Sequence, residues 1–176
     1  MVETNGRNFD LLTLGQVLLR LSPPDNERLS RGDTFVKQVG GAELNVAVGA
    51  ALLGLHTGVI SKLPAHDIGS FMKGKIRSFG VSDDFFMYDQ SPAARVGIYY
   101  YENGAYPRKP KVIYDRNHSS FFSLDIDEIP EEVYTASKCF HTTGITLALN
   151  EDIRETTIEM IKRFKAAGTL VSFDVN

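Results

Sequence analysis

A glycine pair stands directly before an amphipathic run in the stretch Val39-Gly40-Gly41-Ala42-Glu43-Leu44-Asn45-Val46-Ala47. Apolar residues recur after it at helical spacing and predict a helix over residues 43–53: Leu44, Ala47, Val48, Ala51 and Leu52. Glycines allow a backbone to approach a ligand closely, and the free N–H groups of a helix start attract oxygen-rich groups. Asn45 adds a donor and an acceptor suited to sugar hydroxyls. On spacing alone, the alternative is a tight turn in which Asn45 satisfies its own helix end.

Apolar strands alternate with helices on both sides of this stretch. Strands are predicted at 11–14, 17–21, 35–39, 59–61, 138–142 and 169–175, and helices at 67–79, from 130 onward and at 150–167. Asp67 is the expected cap of the helix over 67–79. The strand-like segments 95–101 and 111–115 have no helix between them.

The alternation predicts an α/β fold with a mostly parallel sheet flanked by helices, beside a small antiparallel lid. The lid strands are expected near 16–39 and 95–116, within a folded region of 10–176 that follows a polar, flexible segment at 1–9. In such a sheet the ligand crevice lies beyond the carboxyl ends of the strands. That rule nominates Gly15, Gln16, Gly144, Ile145 and Asn176.

The composition excludes several classes of partner. The chain has 176 residues, is 43% hydrophobic and carries a formal charge of -3, so it lacks the basic excess of a nucleic-acid binder. No stretch is apolar for the roughly 18–20 residues that a membrane span needs. The lone Cys139 is expected to be a buried thiol in a reducing compartment, and the four histidines show no metal-ligand spacing. We therefore expect a cytoplasmic protein that binds a small molecule, with no nucleic-acid or membrane partner.

The stretch 39–47 resembles the first signature of the ribokinase-like, phosphofructokinase-B family of carbohydrate kinases, in which Gly-Gly and Asn contact the sugar. The resemblance covers the chain after about residue 9, because other segments follow in the family's order: Gly15, Leu53-Gly54-Leu55, Asp67-Ile68-Gly69 and Val171-Ser172-Phe173-Asp174-Val175-Asn176. It implies a ribokinase-like fold. The sequence departs from the pattern at Gln16, where many members carry an acid, at Glu43, where a small residue is preferred, and at 63–67, where most have a glycine-rich turn.

Within that family, the segments 95–99, 111–116 and 144–146 look like those of 2-keto-3-deoxygluconate kinases. The resemblance implies these substrate contacts: Gly40, Gly41, Asn45, Tyr99, Tyr114, Arg116 and Ile145. The guanidinium of Arg116 is shaped to hold the carboxylate of a sugar acid. The alternative is that the basic residues of this region form a solvated edge that protects a strand: Arg108, Lys109, Lys111 and Arg116. Strand alternation places Tyr99 and Tyr101 on one face of the lid.

The resemblance also implies ATP and Mg²⁺ as cofactors and a catalytic base in a Gly-Ala-Gly-Asp segment. The 176 residues contain no such segment. We therefore expect the base and the nucleotide site beyond Asn176, a fold incomplete at its carboxyl end, and no kinase activity for this chain alone. A fructokinase or nucleoside kinase of the same family, or a non-enzymatic sugar-binding module, remain the alternatives. The lid is a possible dimer contact, since it often pairs between subunits in relatives of this kind.

Overall fold

A computed structural model describes residues 6–176, which form strands, helices and two short 3-10 turns. The strands are β1 (Phe9–Leu14), β2 (Leu18–Ser22), β3 (Val36–Gly40), β4 (Thr57–Pro64), β5 (Val81–Ser82), β6 (Phe86–Asp89), β7 (Gly97–Glu102), β8 (Lys111–Asp115), β9 (Ser137–Thr143) and β10 (Leu170–Asp174). The helices are α1 (Ala42–Leu52), α2 (Asp67–Ser78), α3 (Val133–Ala136), α4 (Gly144–Leu147) and α5 (Glu151–Ala166), and the 3-10 turns span Ser120–Ser123 and Ile126–Glu128.

The main sheet is parallel, as the alternation predicts. Its strand order is β10-β9-β1-β4-β5, and β6 also pairs with β4. Strand β1 is the centre, because the chain adds β4 on one side of it and β9 on the other. Its residues Leu12, Thr13 and Leu14 are fully buried. The carboxyl end of β1, at Gly15 and Gln16, is therefore the point at which the strand order reverses and where a ligand crevice is expected.

The lid, which comprises β2, β3, β7 and β8, is a mixed sheet, so its prediction as antiparallel is wrong in one respect. Its order is β3-β2-β7-β8; β2 with β3 and β7 with β8 are antiparallel pairs, whereas β2 and β7 run parallel. The two hairpins are separated in sequence by residues 41–96, which contain α1, β4, α2, β5 and β6. They join side by side through the parallel pair of β2 and β7. Arg20 lies opposite Tyr99 in this parallel pair.

Helices cover both faces of the main sheet. Helices α1 and α2 form one apolar cluster, to which Leu44, Ala47, Met72 and Ile76 belong. Helices α3 and α5 form the other, with Val133, Ile153, Met160 and Phe164. The lid rests on the first cluster through Leu19, Val39 and Ile98. These contacts hold the lid over the carboxyl end of β1.

Two predicted boundaries differ from the structure. His66, rather than Asp67, caps α2, since its Nδ1 accepts a hydrogen bond from the N–H of Ile68 at 3.2 Å. Arg7 and Phe9, which fall in the segment 1–9 predicted to be flexible, are held by the fold: Arg7 donates hydrogen bonds to the carbonyls of Ser137 and Ala167, and Phe9 is buried in β1. Residues 1–5 lie outside the described residues. In the part of the chain from residue 6 onward, no helix combines the length and apolar character that crossing a bilayer requires.

Candidate functional site

A cavity of about 290 Å³ lies between the lid, the start of α1 and the carboxyl end of β1. Six of the seven predicted contact residues line it together: Gly41, Asn45, Tyr99, Tyr114, Arg116 and Ile145. The remaining lining residues are Gln16, Leu18, Arg20, Ala42, Glu43, Tyr101 and Val112. Segments that are up to 129 residues apart in sequence, from Gln16 to Ile145, therefore meet in one place.

The glycine turn brings backbone against the cavity. Gly41 has a φ of 148°, a region that favours glycine, and a Cβ there would lie 2.7 Å from the carbonyl oxygen of Gln16. No side chain caps the start of α1. Asn45 is exposed on its first turn and lines the cavity. The alternative in which Asn45 satisfies its own helix end is therefore disfavoured, and its amide is available to a ligand.

Gly40, the seventh predicted contact residue, is not among the residues that line the cavity. A Cβ on Gly40 would lie 2.4 Å from the hydroxyl oxygen of Tyr99. The hydroxyl group of Tyr99 thus occupies the space that a side chain at position 40 would fill. Gly40 therefore leaves room for the hydroxyl end of Tyr99 at the end of β3.

Aromatic and cationic side chains form the lid wall of the cavity. Tyr99 and Tyr101 both line it, as strand alternation predicts. The ring centroids of Tyr99 and Tyr114 are 6.0 Å apart, and the guanidinium of Arg20 lies 4.5 Å from the ring centroid of Tyr101. Arg20 is a cavity residue that the sequence did not predict. What places Arg20 at the site is its position opposite Tyr99, which depends on the parallel pairing of β2 and β7.

Arg116 lines the cavity, whereas Arg108, which the alternative hypothesis placed with it on a solvated basic edge, does not. Arg108 forms a salt bridge with Glu102, with 3.1 Å between Nη1 and Oε1, outside the cavity. Arg116 instead lines the cavity and donates from Nε to Oε1 of Gln16 at 2.7 Å. Burial lowers the pKa of the Arg116 guanidinium below its ordinary value, whereas Tyr114 and Glu43 favour its charged form. An arginine remains charged at neutral pH despite such a shift, so the cavity holds a partly desolvated cation.

Glu43 is a buried carboxylate that joins α1 to the end of β9. It is 2% exposed, and its Oε1 accepts hydrogen bonds from Thr143 and Thr146 at 2.7 Å each. Gly15 makes room for it, because a Cβ at that position would lie 2.1 Å from Oε2 of Glu43. The departure from the family signature at position 43 is thus matched by two hydroxyl donors. This contact fixes the glycine turn relative to Ile145.

Burial also raises the pKa of Tyr99, and the nearby Arg20 opposes this rise. An acid whose pKa is raised keeps its proton at neutral pH. Tyr99 therefore presents a neutral hydroxyl group to the cavity, which can donate and accept hydrogen bonds. Together with Asn45 and the arginines, it suits a ligand rich in hydroxyl groups that also carries a negative charge.

A larger cavity of about 710 Å³ is lined mainly by residues of the 117–123 segment. Its ionisable side chains are Asp89 and His118, and most of its other lining residues are small or neutral: Ser91, Ala93, Asn117, Ser119, Ser120, Phe122, Ser123, Leu149 and Asn150. It contains neither arginine side chains nor the glycine turn. We therefore assign the functional site to the smaller cavity, where backbone, aromatic and cationic groups converge.

The profile of the pfkB family of carbohydrate kinases matches residues 8–176 of this chain. The chain belongs to the pfkB family of carbohydrate kinases. It is 38% identical over 167 residues to the 2-dehydro-3-deoxygalactonokinase of Haloferax volcanii, covering 95% of this chain and 52% of that protein. It is 30% identical over 171 residues to a 5-dehydro-2-deoxygluconokinase of Clostridium botulinum, with 97% and 50% covered.

Solved structures give the same fold. The 2-dehydro-3-deoxygluconokinase of Thermotoga maritima superposes with a TM-score of 0.89 at 36% identity, covering 96% of this chain and 51% of that one. These matches confirm the ribokinase-like fold and the predicted likeness to 2-keto-3-deoxy sugar kinases. The chain spans about half the length of these relatives.

The family implies ATP as the phosphoryl donor, with Mg²⁺ as its usual partner. The residues that line the cavity do not fit ATP with its Mg²⁺, because Glu43 is the one acidic side chain among them. Within residues 6–176, no group of three or more histidine, cysteine, aspartate or glutamate residues could hold a metal ion. We assign no residue of this chain to the nucleotide or the metal.

Proposed function

We propose that this chain is the substrate-binding part of a kinase that phosphorylates a 2-keto-3-deoxy sugar acid, with 2-keto-3-deoxygluconate as the leading substrate. One observation carries the proposal: Arg116 lies in the same cavity as Gly41, Asn45, Tyr99 and Tyr114. The cavity combines neutral groups for hydroxyls with a planar cation for a carboxylate. Relatives named for 2-keto-3-deoxy sugar acids, at 38% and 36% identity, support the same substrate class.

The chain's own residues bind and orient the sugar in this proposal. The glycine turn and Asn45 hold hydroxyl groups, and Arg116 holds the carboxylate. The tyrosines of the lid exclude water from the bound sugar, which limits wasteful hydrolysis of a phosphoryl donor. Correct orientation is a large part of phosphoryl-transfer catalysis, because the acceptor hydroxyl must lie in line with the transferred group.

Calorimetric titration tests the substrate class. The protein, at the full length that its gene encodes, is titrated with 2-keto-3-deoxygluconate and with the methyl ester of the same acid, which lacks the charge. We expect the acid to bind about a hundredfold more tightly, since hydrogen bonds to charged groups contribute roughly 1.5–3 kcal/mol. Equal affinity for the two compounds, or tighter binding of fructose or a nucleoside, would favour another branch of the family.

A second candidate substrate is 2-keto-3-deoxygalactonate, because the relative at 38% identity is named for it. The cavity groups identified here recognise a carboxylate and hydroxyls, which both sugar acids carry. A coupled assay of ADP release with each acid in turn decides between them. A kcat/KM at least tenfold higher for the galactonate compound would replace the leading substrate while leaving the class intact.

We further propose that the 176-residue chain by itself binds the sugar acid without phosphorylating it. It contains no Gly-Ala-Gly-Asp segment, and its cavity has no acidic pair. The same assay on the isolated chain should show no ADP release above background. Measurable turnover would contradict this proposal, whereas a non-enzymatic sugar-binding module would show no turnover at full length either.

A further inference from the structure

Gln16 makes three hydrogen bonds at the base of the cavity, and all of them go to the segment that contains Arg116. Its Oε1 accepts from Nε of Arg116 at 2.7 Å. Its Nε2 donates to the carbonyl oxygen of Arg116 at 3.1 Å and to Oγ of Ser119 at 2.6 Å. Gln16 is only 3% exposed. A guanidinium can only donate and a carbonyl can only accept, so these partners fix which end of the amide is oxygen and which is nitrogen.

These contacts determine which edge of the guanidinium can reach a ligand. The Nε of Arg116 is occupied by Gln16, whereas Nη1 and Nη2 have no hydrogen-bond partner among residues 6–176. A carboxylate is held by two parallel N–H donors of one edge, and the Nη1–Nη2 edge supplies such a pair. Gln16 thus holds Arg116 so that its outer edge remains available in the cavity.

The same contacts preserve the positive charge of the cavity. No carboxylate within the described part of the chain forms a salt bridge with Arg116; the acidic group that influences it, Glu43, has its Oε1 occupied by Thr143 and Thr146. Gln16 is neutral, so it orients the guanidinium without compensating its charge. A carboxylate at position 16 could also accept from Nε, but it would form an ion pair with Arg116 and could not donate to the carbonyl of that residue.

Two glycines give Gln16 the space for this role. A Cβ on Gly97 would lie 2.7 Å from Nε2 of Gln16, and a Cβ on Gly41 would lie 2.7 Å from its carbonyl oxygen. The backbone of the glycine turn and the first residue of β7 therefore both pack against Gln16. The backbone of three segments therefore bounds Gln16: the glycine turn, the start of β7 and the carbonyl of Arg116.

We propose that Gln16 is a positioning residue that keeps Arg116 available as a cation, and that it thereby sets the preference for sugars that carry a carboxylate. This inference rests on the proposed function, and it adds that the neutral amide at position 16 is a determinant of specificity.

The test compares binding of 2-keto-3-deoxygluconate and its methyl ester by calorimetry, in the protein at the full length that its gene encodes. The variants are Gln16→Glu, which adds the competing charge, and Gln16→Met, which removes the hydrogen bonds at similar size. Gln90→Glu is the control, because it makes the same change of charge at an exposed residue outside the cavity. Thermal unfolding of each variant establishes that it is folded.

In Gln16→Glu, we expect the ratio of acid to ester affinity to fall about tenfold or more, through weaker binding of the acid alone. In Gln16→Met it should fall about threefold, because Arg116 keeps its charge but loses its fixed orientation. Gln90→Glu should leave the ratio unchanged.

An unchanged ratio in folded Gln16→Glu would overturn the inference, and so would an equal loss for acid and ester, which indicates a purely structural role. If Gln16→Glu fails to fold, the ratio in Gln16→Met decides in the same way. The proposed function is judged separately, by the ratio in the unmodified protein. If that ratio is already close to one, the proposed function fails, and the inference about Gln16 fails with it.

Discussion

At the scale of single residues, the position of Tyr99 depends on the absence of a side chain at Gly40. We predict that Gly40→Ala weakens sugar-acid binding about tenfold, or about 1.4 kcal/mol, because the new Cβ displaces the Tyr99 hydroxyl. The displaced atom is the end of a side chain, so the fold should persist. Calorimetry measures the affinity and thermal unfolding measures the stability.

Gly49→Ala is the matched control for that prediction. Gly49 lies within α1, and a Cβ there meets nothing within 4 Å. The exchange should leave affinity unchanged and raise stability by about 0.4–1 kcal/mol, since alanine loses less backbone entropy in a helix. Equal affinity of Gly40→Ala and Gly49→Ala would show that the close approach of Tyr99 to β3 is irrelevant to binding.

Most of the site residues could be predicted from the sequence through the family resemblance, but their roles could not. The motif implies that Gly40 contacts the sugar, and only the structure shows that the hydroxyl of Tyr99 takes up the space beside it. Arg20 and Glu43 were missed as site residues because their partners, Tyr101 and the Thr143–Thr146 pair, are distant in sequence. Hydrogen bonds between distant segments leave no periodic pattern in a single sequence.

At the scale of elements, Glu43 links α1 to the end of β9 and the start of α4. We predict that Glu43→Ala lowers the free energy of unfolding by about 2 kcal/mol, because the buried hydroxyls of Thr143 and Thr146 lose their acceptor. Chemical denaturation measures this loss. Glu155→Ala, an exposed change on α5, is the control. A loss no larger than that of the control would contradict the role of Glu43.

The lid carries exposed apolar side chains on the face that points away from the cavity. Phe35 is 47% exposed and Ile113 is 44% exposed, and the rings of Phe35 and Tyr100 meet edge to face. We propose that a second copy of the chain covers this face. Ile113→Lys should then shift the sedimentation coefficient to that of a monomer. Leu52→Lys, the same kind of change at an exposed apolar residue of α1 outside the lid, is the control and should leave the coefficient unchanged. A monomer before any substitution would contradict the proposal.

Element types and approximate boundaries were predictable where hydrophobic periodicity is strong. The helices over 42–52, 67–78 and 151–166 match the predicted ones to within a residue or two. The pairing of β2 with β7 was missed because strand direction depends on how two hairpins meet, which local sequence does not encode. The short strands β5 and β6 have too few residues to show an alternating pattern.

At the scale of the whole molecule, the site follows from topology. The strand order reverses at β1, the glycine turn follows β3, and the lid rests on the cluster beneath α1 and α2. A crevice at such a reversal is expected from the alternation of strands and helices alone. The proposed preference for a sugar acid is not expected from that alternation, because it rests on Arg116 and its neighbours, which meet only in the folded chain.

The most direct measurement is the acid-to-ester affinity ratio of Arg116→Ala, compared with the unmodified protein by calorimetry. Affinity for 2-keto-3-deoxygluconate should fall about a hundredfold while affinity for its methyl ester stays almost unchanged, since only the charged partner loses its roughly 1.5–3 kcal/mol contact. Arg108→Ala, which removes an arginine outside the cavity, should change neither affinity. An unaltered preference for the acid in Arg116→Ala would contradict the proposal that Arg116 binds the carboxylate.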